Sequence, residues 1–195
     1  MNLNDVFWTF QGEGFFAGTR ALFVRMPYCN LACSWCDTTF NTFTKWSDKE
    51  FRDFASQESS RFAVITGGEP MMNKHTPEVV RILKGLGFYI ACETNGNFPI
   101  VEGIHWVTCS PKRDSNPPYH VDDDLWQKVS EFKYVVDEGF DLSILDRHDP
   151  GIGVRLSLSP EFNNKEKSLP VIYDYIKKHP NWKISLQTHK WMNIP

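Results

Sequence analysis

Three cysteines stand within eight positions, in the segment Cys29-Asn30-Leu31-Ala32-Cys33-Ser34-Trp35-Cys36. A thiolate is a soft anionic metal ligand, and an x3, x2 spacing lets one short segment offer three of them to one centre. Four thiolates complete a tetrahedral zinc or fully ligate an iron–sulfur cluster, whereas three leave one position open. The spacing admits three readings. One is a [4Fe-4S] cluster with an iron free for an exogenous ligand. Another is a structural Cys3His zinc, with His189 or His75 as the fourth ligand, and the third is a set of buried thiols with no shared task. Cys92 and Cys109 fall in apolar, strand-like runs and read as core.

A second group of residues with chemistry sits in short polar clusters: Thr66-Gly67-Gly68-Glu69-Pro70, Glu93-Thr94-Asn95-Gly96, Ser110-Pro111-Lys112, Ser157-Leu158-Ser159-Pro160 and Gln187-Thr188-His189. Paired glycines either make a tight turn or let the backbone approach a ligand closely. Arg25 ends the apolar run 21–25, where a guanidinium is costly to bury alone. It needs a carboxylate, either an internal one such as Glu13 or one brought by a ligand.

The elements that must hold these groups follow from local pattern. Runs rich in β-branched and aromatic residues at 21–25, 61–66, 88–92, 104–108, 131–136, 153–158 and 182–186 read as strands. Between the first two, Ser47 and Glu50 form a capping-box pattern ahead of Phe51, Phe54 and Ala55. Between the next two, Thr76 as N-cap and Pro77 precede a face of Val79, Val80, Leu83 and Leu86. Later crossovers at 122–129 and 140–145 are short. The last, 168–178, carries Pro170, which suits only a first turn.

Strands alternating with helices predict an α/β fold with a parallel sheet. The polar clusters fall at the carboxyl ends of the strands, the ligand end of such folds, and their convergence favours an incomplete parallel (βα) barrel of about six units over an open doubly wound sheet. The phosphate-binding patterns G-x-G-x-x-G and G-x-x-x-x-G-K-[ST] do not occur.

The chain has 195 residues, which predicts one domain spanning 1–195 with a proper core, since 41% of residues are hydrophobic. A net charge of -3 supplies no basic field for nucleic acid or an anionic membrane. No stretch approaches the ~18 apolar residues of a membrane span, and the first residues lack a signal-peptide plan, so a cytoplasmic location is expected.

The cysteine triplet with Trp35 before its last member resembles the signature of the radical S-adenosylmethionine (SAM) superfamily, and Thr66 to Pro70 resembles that superfamily's glycine-rich strand-end motif. Within it, Gln11-Gly12-Glu13-Gly14, Cys36-Asp37-Thr38, Glu93-Thr94-Asn95-Gly96, Ser110-Pro111-Lys112 and Gln187-Thr188-His189-Lys190 resemble the 7-carboxy-7-deazaguanine synthase family, from about residue 8 to the C-terminus. The resemblance implies a [4Fe-4S] cluster on Cys29, Cys33 and Cys36. The cluster would pass an electron to SAM, and the resulting 5′-deoxyadenosyl radical would take a hydrogen from the substrate. The implied substrate is 6-carboxy-5,6,7,8-tetrahydropterin, contracted with loss of ammonia to 7-carboxy-7-deazaguanine on the route to queuosine.

The resemblance further implies that Trp35, Asp37, Gly68, Glu69, Ser110, Pro111, Lys112, Ser157 and Ser159 line SAM, and that Thr38 ligates Mg2+. Phe10, Gln11, Gly12, Glu13, Arg25, Thr66, His189 and Pro195 would contact the pterin. A flavodoxin or ferredoxin would supply the electron. Short crossovers would leave apolar faces bare and favour a homodimer. Two rivals make different predictions: a radical SAM activase of a glycyl-radical protein would leave pterins intact, and a non-catalytic zinc-binding module would be colourless.

Overall fold

The computed structural model describes residues 1–147 and 153–195. Its centre is an eight-stranded sheet built from β2 (Asp5–Phe10), β3 (Arg20–Met26), β5 (Phe62–Gly67), β6 (Tyr89–Thr94), β7 (Trp106–Cys109), β8 (Glu131–Val136), β9 (Arg155–Pro160) and β10 (Trp182–Ile184). The order is β10-β9-β8-β7-β6-β5-β3-β2. From β3 to β10 every pairing is parallel, which gives the six steps expected. All seven anticipated strands are present, with ends displaced by a residue or two. The eighth, β2, was not anticipated and runs antiparallel to β3 because a short connection can join only antiparallel neighbours. Two further strands, β1 (Asn2–Leu3) and β4 (Thr44–Lys45), make a separate two-residue ladder.

The sheet curls into a partial barrel. Backbone N–H of Gly14, after β2, donates to Ser185 Oγ at 2.9 Å, and Thr188 N–H donates to the Gly12 carbonyl at 2.9 Å, so segments beyond opposite edges of the sheet meet. Across the concave face, Lys133 of β8 reaches Glu93 of β6 at 3.2 Å, although β7 lies between them. Phe15 and Phe16 of the β2–β3 connection pack on Trp106, and Phe16 also packs on Phe62, which seals the interior with aromatic rings at the end away from the polar clusters.

Outside the barrel, α1 (Asp48–Ala55) and α2 (Thr76–Gly85) cover β3, β5 and β6 through Phe51, Val79, Ile82 and Leu83 against Leu22, Val24, Ile65 and Ile90. The capping box at Ser47 and Glu50 forms in both directions. α2 departs from expectation at its start. Thr76 is its first helical residue, His75 occupies the cap, and the Thr76 hydroxyl donates instead to the Pro70 carbonyl at 2.6 Å. Farther along, α3 (Asp123–Trp126) and α4 (Ser143–Arg147) are single turns, and α5 (Lys165–Lys178) covers β9 and β10. Pro170 lies inside α5, beyond its first turn, contrary to expectation. It and Glu166, whose carbonyl loses its partner, are both exposed, so the missing bond costs no buried group. The last helix, α6 (Thr188–Met192), turns back over the carboxyl end of the sheet. Among the described residues no helix is long and apolar enough to cross a membrane.

Candidate active site

Two adjoining cavities open at the carboxyl end of the parallel strands. The first, of about 320 Å³, is lined by Phe7, Phe10, Phe23 and Arg25 from the hairpin, by Gln11 and Gly12, by Thr38, and by His189 and Pro195. The second, of about 170 Å³, is lined by Cys29, Cys33, Cys36, Trp35, Gly67, Gly68, Glu69, Asn95, Ser110, Lys112 and Lys133. Glu13, Asp37, Thr66, Glu93 and Gln187 line both and form the partition between them. The expected convergence of strand-end clusters on one mouth therefore holds for β5, β6, β7 and the segment after β10.

The three thiols face one cavity, flanked by the backbone of Gly67 and Gly68. Gly68 is required sterically: a Cβ there would sit 1.7 Å from the Tyr28 carbonyl oxygen, directly before Cys29. Asn95 braces the same segment by donating to Asn30 Oδ1 at 2.8 Å. Burial raises the Cys29 thiol and pushes Cys33 up to about 11, a penalty that a cationic centre would offset. No group of three His, Cys, Asp or Glu among the described residues is gathered for a single metal ion. The histidines proposed to complete a zinc site point elsewhere. His189 packs against Gly12, where a Cβ would lie 2.1 Å from its Nδ1. His75 faces Glu78 at 3.9 Å. Three soft donors on one cavity fit a cluster held by three thiolates.

In the first cavity Arg25 is the key group. Its Nη1 donates to Thr38 Oγ1 at 3.2 Å and its guanidinium lies 5.3 Å from the Phe7 ring centre. Its Nε is buried with no hydrogen-bond partner, the unsatisfied state that ordinarily costs a protein 1 to 3 kcal/mol or more, roughly. Glu13, suggested as an internal partner, is not bonded to it. Glu13 instead accepts from Lys133 Nζ at 2.5 Å and from Gln187 Nε2 at 2.8 Å. Burial alone would raise the Glu13 carboxyl, but the Lys133 ammonium and the Gln187 amide outweigh it and hold it down at about 2. Lys133, depressed by burial but flanked by Glu13 and Glu93, ends up well above the usual lysine range.

The other anticipated residues divide by position. Thr66 stands between the cavities, and Phe10, Gln11, Gly12, His189 and Pro195 surround the first. Thr9 Oγ1 donates to the Pro195 carbonyl at 2.8 Å, which fixes the chain beyond α6 against β2. Glu69 lines the second cavity, yet its carboxylate accepts from Thr94 Oγ1, Asn95 N–H and Met71 N–H at 2.7 to 2.9 Å, so it clamps two strand-end loops together. Lys112 turns back to Ser110, donating to its carbonyl and hydroxyl at 2.6 Å, with Trp35 5.5 Å away. Ser159 lines a smaller recess of about 50 Å³ with Trp35 and Asp37. Pro111 faces a small side cavity behind Lys112. Ser157 is not brought to either main cavity: it sits one layer lower on β9 and donates to Glu131 at 2.6 Å. Glu93 and Gln187 stand in strand-end clusters expected to face the site but carry no individual role in the sequence reading, and Lys133 is not anticipated there at all.

No family model matches the chain. Among curated proteins it is similar to the 7-carboxy-7-deazaguanine synthase of Bacteroides thetaiotaomicron, 36% identical over 193 residues, covering 98% of this chain and 97% of that one. It is 33% identical over 215 residues to the synthase of Burkholderia multivorans, covering 99% and 98%. Among solved structures, QueE from Escherichia coli superposes with a TM-score of 0.75 at 24% identity, covering 95% and 92%. Streptococcus suis SuiB bound to S-adenosylmethionine shares the fold over 83% of this chain and 48% of that one, with a TM-score of 0.52 at 16% identity.

Proposed function

The chain belongs to the 7-carboxy-7-deazaguanine synthase family, and on that premise we propose that it is a radical SAM enzyme converting 6-carboxy-5,6,7,8-tetrahydropterin to 7-carboxy-7-deazaguanine with release of ammonia. One observation carries the assignment of cavities. Arg25 lines the cavity beside the three thiols, and its guanidinium, which donates to Thr38 and keeps a buried, unpartnered Nε, is suited to a carboxylate that the substrate brings.

In this reading Cys29, Cys33 and Cys36 hold a [4Fe-4S] cluster, with SAM beside it along Gly68, Ser110, Lys112 and Trp35. When bound, the pair supplies the one-electron chemistry that removes a hydrogen atom from the substrate. The chain's own residues do the rest. Arg25 pairs with the substrate carboxylate, and Gln11, Glu13 and Glu93 offer donors and acceptors to the edge of the pterin ring. The apolar rings of Phe7, Phe10 and Phe23 and the returning α6 exclude water. Thr38 is the ligand proposed for Mg2+, which keeps most of its waters and takes substrate oxygens as well.

The reaction is a lyase reaction and needs a one-electron donor such as a flavodoxin or ferredoxin. A homodimer would cover exposed apolar side chains such as Tyr173, Ile184 and Trp191, and the enzyme would work in the cytoplasm. Anaerobic reconstitution tests the metal assignment: the wild type should turn brown and hold about four irons per chain. Ala at Cys29, Cys33 or Cys36 should abolish the colour. A colourless protein carrying zinc would overturn the reading.

A further inference from the structure

Lys133 stands behind the partition between the two cavities. It projects from β8 into the barrel, is only 4% exposed, and lines the thiol cavity but not the one with Arg25. Its ammonium binds two carboxylates that line both, Glu13 Oε2 at 2.5 Å and Glu93 Oε2 at 3.2 Å. Each carboxylate is steered at its other oxygen by an amide: Gln187 Nε2 donates to Glu13 Oε1 and Gln11 Nε2 to Glu93 Oε1, both at 2.8 Å. One buried cation therefore neutralises and aims two anions that come from separate parts of the chain.

We propose that Lys133 is a positioning residue for the pterin site, keeping Glu13 and Glu93 both ionised so that these two side chains present acceptors alone to the ring's N–H donors. This rests on the proposed substrate. The chemistry follows from the donor inventory. An ionised carboxylate only accepts, whereas a protonated one carries an O–H that opposes another donor. Two carboxylates that share a buried site without a cation repel each other, which raises one of them and makes it the more readily protonated.

The other charged groups around the trio do not replace the ammonium. Glu131, on the same strand, adds negative charge and is engaged with Ser157 and the Phe15 N–H. Lys112, after β7, is held by Ser110, and burial lowers it. His189, on α6, is likewise lowered by burial. Arg25, across the first cavity, is bonded to Thr38.

The test compares wild type, K133M, K133Q and K133R, all anaerobically reconstituted. Infrared spectroscopy without any pterin reads the trio itself. At pH 6.5, K133M should show an additional carbonyl stretch of an un-ionised carboxylic acid over the spectra of wild type and K133R. Calorimetric titration of 6-carboxytetrahydropterin, with SAM present and reductant withheld, reads the site. Relative to wild type, K133M should lose about tenfold in affinity for each pH unit below its raised carboxyl value. K133R should follow wild type. If K133M itself does not fold, K133Q is read in the same way: an acid band with affinity lost toward low pH supports the proposal, and the absence of both overturns it. No acid band in K133M, or an affinity loss that is uniform with pH, overturns the proposal as well. Failure of the wild type to bind the pterin would instead sink the substrate, while the infrared result would still decide the role of Lys133.

Discussion

Arg25 Nη1 donates to Thr38 Oγ1 at 3.2 Å, so the cation proposed for the substrate carboxylate and the hydroxyl proposed for Mg2+ share one wall of one cavity. The residues come from different elements, Arg25 from the end of β3 and Thr38 from the segment just after the last cysteine. The hydrogen bond therefore ties the substrate site to the segment that carries the thiols.

Removing the guanidinium should weaken binding of a carboxylated substrate specifically. In R25M the KM for 6-carboxytetrahydropterin should rise about 30- to 100-fold, the equivalent of roughly 2 to 3 kcal/mol for a lost charged pair. Binding of a tetrahydropterin that lacks the carboxyl group should change little, because Arg25 has nothing to pair with there. Steady-state kinetics and a binding titration with the two pterins check this.

Replacing the Thr38 hydroxyl should separate metal assistance from folding. T38V should retain its thermal midpoint within a few degrees and lose any stimulation by Mg2+, while T38S should keep it. Activity measured with and without Mg2+ after chelator treatment reads the difference.

The buried pair of Glu13 and Lys133 should make the protein acid-sensitive. Burial opposes the ionised carboxyl, but the ammonium overcomes it, so the folded-state value lies below the ordinary 4.5, at about 2. A depressed carboxyl stabilises the fold above its unfolded value, and that contribution disappears as pH falls through the interval down to about 2. Urea midpoints at pH 6 and pH 3 should therefore differ more for the wild type than for E13Q, which is already weaker at pH 6.

G68A should be among the most disruptive single-methyl additions near the site. The added Cβ would meet the Tyr28 carbonyl at 1.7 Å, and backbone on both sides would have to move. Since Tyr28 precedes Cys29, the variant should lose both thermal stability and iron on reconstitution. An intact brown colour with an unchanged melting midpoint would contradict the close packing.

Much of this architecture was legible in the sequence because its signals are local. The Ser47 and Glu50 box, the runs of β-branched residues and the glycines after β5 each announce their own element. What escaped depends on contacts distant in sequence. β2 has apolar residues on both sides of its alternation, so nothing local distinguishes it from a loop, and its pairing with β3 defines it. Lys133 alternates with Phe132 and Tyr134 along β8, a pattern that usually means one solvent face. Here the polar face looks into a barrel, and that could be known only once β6 and the loop carrying Glu13 were placed around it. Ser157 misled for the same reason: it has the right face of β9, but one layer too deep.

Product formation tests the assigned reaction most directly. Reconstituted protein should be incubated anaerobically with reductant, SAM and 6-carboxytetrahydropterin, with mass spectrometry following the pterin and its products. 7-Carboxy-7-deazaguanine and ammonia should form in equal amounts, abolished in the Cys33→Ala variant and strongly reduced in R25M at low substrate. Protein that holds its cluster and cleaves SAM while leaving the pterin unchanged would contradict the assigned reaction.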